Sequence, residues 1–156
     1  MKKDRSEKSR TGRSRTEIIF YVAAALIALI GLTEATYLTV IFLSGETAVC
    51  GNSPDCFKVL GSAYAKIGGF PVSGLGALAY FSVFTFAIFA AFDYNRARKF
   101  FSWTVFAMFA VTLWLLFVQA FRLHAFCKYC LFSAALVFLL TGLVVARPSS
   151  TQRSSS

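Results

Sequence analysis

The chain has little of what a soluble domain or a metal site needs. Its 156 residues carry 7 acidic side chains, 3 Pro and a single His, against 16 Lys and Arg. Charged residues gather in a few patches instead of covering a surface, which excludes an ordinary water-soluble fold. The lone His124 leaves no ligand set of the usual zinc spacing. Period-two alternation is absent, so a membrane barrel is excluded as well. No internal repeat is found. Hydrocarbon is what abounds: 57% of the residues are apolar and 18 are Phe.

Crossing a hydrocarbon core of roughly 30 Å takes about 20 apolar residues in a helix. Four runs of that size occur, at 18–43, 72–92, 100–123 and 129–146. Lipid admits only helices or closed barrels, so these runs predict an all-α integral membrane protein, a four-transmembrane-helix bundle. The first run is too long for the apolar part of a secretory signal and is read as a helix that is kept. The expected organisation is a disordered basic tail over 1–16, a transmembrane domain over 17–146 and a second disordered tail over 147–156.

Lys and Arg collect on the cytoplasmic side of a membrane. They crowd the N-terminal tail, the second connection (Arg96, Arg98, Lys99) and the C-terminal tail (Arg147, Arg153), whereas the opposite side has Lys58, Lys66, Arg122 and Lys128. Both termini are therefore expected in the cytoplasm, as a multi-pass protein of the cell (inner) membrane. The net charge of +9 reads as topology and attraction to anionic lipid, with no nucleic-acid partner. Trp103 and Tyr94 are expected as anchors at the cytoplasmic interface.

The covalent chemistry available is in four cysteines. Cys50 and Cys56 enclose Gly51-Asn52-Ser53-Pro54-Asp55 in the first connection, and Cys127 and Cys130 form a Cys-x-x-Cys at the start of the fourth span. With the topology above, all four face the periplasm or the outside, where disulfides form and persist. Cys127 and Cys130, at i and i+3 on the first turn of a helix, share a face and can close an exchangeable disulfide. A helix N-terminus stabilises a thiolate, which makes Cys127 the attacking or attacked sulfur; Cys130, one turn deeper, is placed to meet a lipid-soluble molecule. The loop pair reads either as a static staple or as a mobile, exchanging pair, and a second exchangeable pair on the same side favours redox work. After Cys56, residues 57–67 are expected to form a short amphipathic helix on the outer surface, ended by Gly68, Gly69 and Pro71.

Among polar residues within the spans, Glu34 either hands a proton to a lipid-soluble molecule reduced at the site or bonds Thr33 or Tyr37 near the interface. Gln119 is expected to make an interhelical hydrogen bond, and Gly74 and Gly76 to allow close helix packing. His124 is read as a solvated loop residue.

The order of these elements resembles the bacterial homologues of vitamin K epoxide reductase. The loop cysteine pair, Gly61-Ser62, Gly69-Phe70-Pro71 leading into the second span, and the Cys-x-x-Cys opening the fourth carry the resemblance over about 18–145. The quinone-linked DsbB oxidases place their Cys-x-x-Cys in the first outer connection and fit less well. The resemblance implies that Cys50 meets a separate thioredoxin-like (DsbA-type) partner, that Cys56 attacks Cys127, and that Cys130 faces a quinone of the menaquinone, ubiquinone or phylloquinone class. Ser62 matches the family's active-site Ser. Quinone contacts are expected from Phe57, Leu75, Phe126 and Leu131. Where vertebrate members place an Asn and a Tyr against the quinone oxygens, this chain has Val72 and Ala134, which points to simple quinone reduction rather than epoxide reduction.

The function expected is a membrane thiol-disulfide oxidoreductase that draws on the membrane quinone pool and supports disulfide formation in exported proteins. Its rival is a non-enzymatic bundle, a small transporter or assembly factor, with structural disulfides in its outer loops; resistance of those disulfides to mild thiols distinguishes it.

Overall fold

A computed structural model describes residues 2–44, 54–92 and 94–146. The long helices are α1 (Lys2–Ser44), α3 (Val72–Ala91), α4 (Asn95–Phe117) and α5 (Lys128–Ala146), and a short α2 (Pro54–Leu60) lies between the first two. Four segments, Arg15–Ser44, Val72–Ala91, Arg96–Leu123 and Lys128–Ala146, are long and apolar enough to cross a membrane, with mean hydropathies of 1.8 to 2.3. The protein is an all-α, multi-pass membrane bundle, in which each helix satisfies its own backbone donors and acceptors.

Small residues let the first two spanning helices approach. On α1, Ala24, Ala28, Gly31 and Ala35 form a buried stripe at helical spacing. A methyl group at Gly31 would collide with the ring of Tyr80 on α3, so glycine is required there. Further along, Gly74 lies against Thr39 and Gly76 against Ala35, as the close-packing expectation for this pair supposed. The core continues through Val83, Ala87 and Ala90 of α3 to Phe101 and Val105 of α4 and Leu140 of α5. At the end where α1 leaves this core, Glu17 forms an ion pair with Arg98 of α4 at 3.1 Å.

The chain differs from its sequence reading in three places. The segment expected to be a disordered tail is helical from Lys2, as a continuation of α1. Its Lys, Arg and Glu residues are good helix formers, and a preformed spanning helix removes the cost of nucleating another. The tail over 147–156 lies outside the described residues.

The single helix expected over 57–67 is instead three pieces. Helix α2 stops at Leu60, before Gly61; Ala63–Ala65 form one turn of 3₁₀ helix; and β1 (Lys66–Ile67) pairs antiparallel with β2 (Phe70–Pro71). Gly68 and Gly69 have φ of 59° and 89°, and two successive positive φ values are what a tight two-residue hairpin turn needs. Pro71 then caps α3 at φ −68°, where its missing N–H costs no hydrogen bond.

The third difference is at the end of α4. Residues Val118–Leu123 continue as a π-helical turn, and His124 ends it in the left-handed region at φ 45° and ψ 36°. His is among the residues that tolerate that region.

Candidate functional site

Cys127 sits one position before α5 rather than within its first turn. Its carbonyl accepts the Leu131 N–H at 3.0 Å, so it is the residue that caps the helix. Its side chain is fully buried, against Val59 of α2 and Ala125. The Cys127 sulfur accepts from the Cys130 thiol and from the backbone N–H groups of Cys130 and Tyr129. These donors, the Cys130 thiol foremost, hold the Cys127 thiol below its ordinary pKa, although burial opposes them. A sulfur so placed does what a capping Asp or Ser does for the unsatisfied donors of a helix start.

The π turn before this point has a consequence for the pair. It carries Gln119, 4% exposed, whose Oε1 accepts the Cys127 backbone N–H at 3.4 Å, while its side chain also bonds that of Cys130. Gln119 was expected to tie helices together in general terms; it grips both members of the Cys-x-x-Cys. A polar residue in an apolar run marked it, but its target depends on a turn that hydropathy does not reveal. π turns recur at functional sites because they re-aim one side chain.

Cys130 lies on the wall of a cavity of about 430 Å³ enclosed by α1, α3, α4 and α5, and Cys127 does not. The volume falls in the range of small-molecule sites. Leu75, Val72 and Ala134 line it, together with Val137, Met108 and Leu38. Ser62 and the Ala63–Ala65 turn close one end, with the Ser62 hydroxyl donating to the Val59 carbonyl at 2.8 Å. Tyr80 closes another side, its hydroxyl bonded to Ser133 Oγ at 2.9 Å and donating to the Ser133 carbonyl at 3.1 Å. That link between α3 and α5 had no signal in the sequence beyond a Tyr in the middle of a span.

Other expected contacts fall elsewhere. Phe126 and Leu131 are half-exposed and do not line the cavity: Phe126 lies in the connection before α5, and Leu131 follows Cys130 by one residue on the helix and so points away from its face. Cys56 and Phe57 are on α2, one turn or less before Val59, but their side chains lie outside the described residues, as does the whole of Cys50. Thr33 donates to the Leu29 carbonyl at 2.9 Å and Tyr37 is exposed, so neither is paired with Glu34. His124 is exposed, as a loop His was expected to be, and Trp103 is 78% exposed. Among the described residues, no group of three or more His, Cys, Asp and Glu could hold a metal ion.

A membrane bundle in which a capped, acidified thiol touches a second thiol on the wall of an apolar cavity is suited to passing electrons between disulfides and a lipid-soluble molecule. The comparison with curated proteins gave no match. The comparison with protein families matched residues 22–145 to the Vitamin K epoxide reductase family. The chain belongs to that family, and is a membrane oxidoreductase.

Proposed function

We propose that this protein is a quinone-dependent thiol-disulfide oxidoreductase that supports disulfide formation in exported proteins. The observation that carries the reading is the division between the two sulfurs: Cys130 is on the cavity wall, while Cys127 is buried beside α2 and interacts with Cys130. One thiol then faces the cavity and the other packs against α2.

The residues fit a quinone. The cavity has room for a substituted ring, and Val72, Leu75 and Ala134 offer it hydrocarbon, with Cys130 at its edge. A bound quinone supplies the electron acceptor, taking two electrons and two protons to become the quinol. Everything else is done by the chain. Cys50 exchanges with a separate thioredoxin-like partner, and Cys56 passes the electrons to Cys127 through a mixed disulfide. Cys50 then attacks Cys56, which closes the Cys50–Cys56 disulfide and releases the Cys127 thiolate; Cys127 and Cys130 join in a disulfide when their two electrons are taken by the acceptor. Ser62 and the 3₁₀ turn cover the cavity against water at the end nearest α2. Both termini are in the cytoplasm and the cysteines face the periplasm or the outside, since Lys and Arg concentrate at the tails and the second connection.

The test uses the full chain in lipid nanodiscs, with a reduced thioredoxin-like protein as donor and short-chain ubiquinone and menaquinone analogues as acceptors. Quinone reduction is expected to match the disulfide formed in the donor and to stop in Cys130→Ala. Unchanged activity in that variant would sink the proposal. In Cys50→Ala, a Cys56–Cys127 disulfide is expected to accumulate on non-reducing gels; a Cys50–Cys127 link in the native protein as the sole crosslink would reverse the two loop roles.

A further inference from the structure

One side chain on the cavity wall is unused by the path from Cys56 to Cys130. Glu34 lies within the first spanning segment and lines the same cavity as Cys130. Among the described residues, both of its carboxylate oxygens are buried without a hydrogen-bond partner. Four other polar side chains of the wall are engaged: Ser62 with Val59, Ser73 with Thr39, Tyr80 with Ser133, and Gln119 with Cys127. An unpaired carboxyl in a hydrocarbon wall is costly, and such a group persists where something else gains from it. Glu34 is also close enough to Cys127 and Cys130 for their charges to interact.

We infer that Glu34 is the hydrogen-bond donor that holds a quinone carbonyl in this cavity and the source of one of the two protons that complete the quinol. The inference rests on the quinone-linked reading above. The balance is as follows: the Cys127 thiolate and the Cys130 thiol form one S–S bond and release two electrons. Cys130 gives up one proton, Glu34 gives the second, and Glu34 is reprotonated from solvent. A carboxylic acid suits both tasks because it donates one hydrogen bond to an oxygen and can surrender that same proton to it.

The experiment uses the full chain in nanodiscs with 2,3-dimethyl-1,4-naphthoquinone as the probe. Equilibrium binding, steady-state kinetics and infrared difference spectra on quinone reduction are measured for the native protein and for Glu34→Gln, Glu34→Leu and Cys130→Ala. The native protein is expected to show a change in a carboxylic-acid C=O band that Glu34→Gln lacks. Glu34→Gln, which can still donate a hydrogen bond, is expected to keep its affinity while kcat falls about a hundredfold. Glu34→Leu is expected to bind about tenfold more weakly. Native-like binding and turnover in Glu34→Leu, with turnover lost in Cys130→Ala, would overturn the role of Glu34 and leave the quinone-linked reading intact. Failure of the native protein to bind or reduce any quinone overturns both.

Discussion

The two halves of the bundle are built on opposite principles. Around Tyr21, Ala24, Ala28, Ala87, Phe101 and Val105, side chains close on one another with almost no exposure. Around Cys130 the same four helices separate enough to enclose about 430 Å³. The first half uses alanine against aromatic rings, so backbones come close and the rings fill what remains, as helix association in lipid requires. Tyr80 stands at the boundary, packed into the core and also lining the cavity, and the outer 3₁₀ turn closes the far end of the second half. Rigidity in one half lets the other keep an open, defined site, since an unsupported cavity lined by flexible side chains would collapse.

This contrast can be broken at either end. The largest effect is expected in the open half: Cys127→Ser removes the sulfur that exchanges with Cys56, and quinone reduction by the thioredoxin-like donor is expected to fall below detection in steady-state assays. In the solid half, Gly31→Ala forces a methyl into the Tyr80 ring. It is expected to lower stability by about 1–3 kcal/mol, read as a shift in detergent or denaturant unfolding. Ala134→Phe tests the opposite case by filling space. It is expected to raise the KM for quinone about tenfold, equivalent to about 1.4 kcal/mol, with little change in unfolding.

A subtler effect concerns protons. Because the Cys130 thiol is the foremost group holding the Cys127 pKa down, Cys130→Ala is expected to move the Cys127 titration to higher pH. Thiolate absorbance against pH, in a variant without Cys50 and Cys56, checks this; an unmoved midpoint assigns the depression to the helix start alone. The smallest effect is expected from Tyr80→Phe, which loses the link to Ser133 and costs about 1 kcal/mol of stability while keeping the ring packing of the solid half.

Much of the fold was legible because hydropathy and helix length are enough to locate a spanning segment. The expected starts at Val72 and Tyr129 fall at or within one residue of the starts of α3 and α5. Glycine chemistry was harder to read in combination: Gly68 and Gly69 were expected to stop a helix, yet they make a hairpin, and Gly61 stops the helix first. At the site, Cys130, Val72, Leu75, Ala134 and Ser62 all line one cavity, whereas Phe126 and Leu131, adjacent in sequence to the cysteines, do not. Nearness in sequence misleads because residues next to each other on a helix, such as Cys130 and Leu131, point about 100° apart, and Phe126 precedes the helix altogether. The Tyr80–Ser133 link and the grip of Gln119 on Cys127 were illegible, since each joins side chains brought together by packing and by a π turn.

By itself the sequence determined that the chain crosses a membrane on four helices and that its thiols occur as a spaced loop pair and a Cys-x-x-Cys. Both follow from local quantities, the transfer free energy of an apolar run and the spacing of residues along a helix. Only the tertiary structure decided which thiol faces the cavity, which donors lower the pKa of the other, and that Glu34 sits in the same wall without a hydrogen-bond partner among the described residues. Those properties depend on distances between residues on different helices, and such distances exist only once the helices have packed.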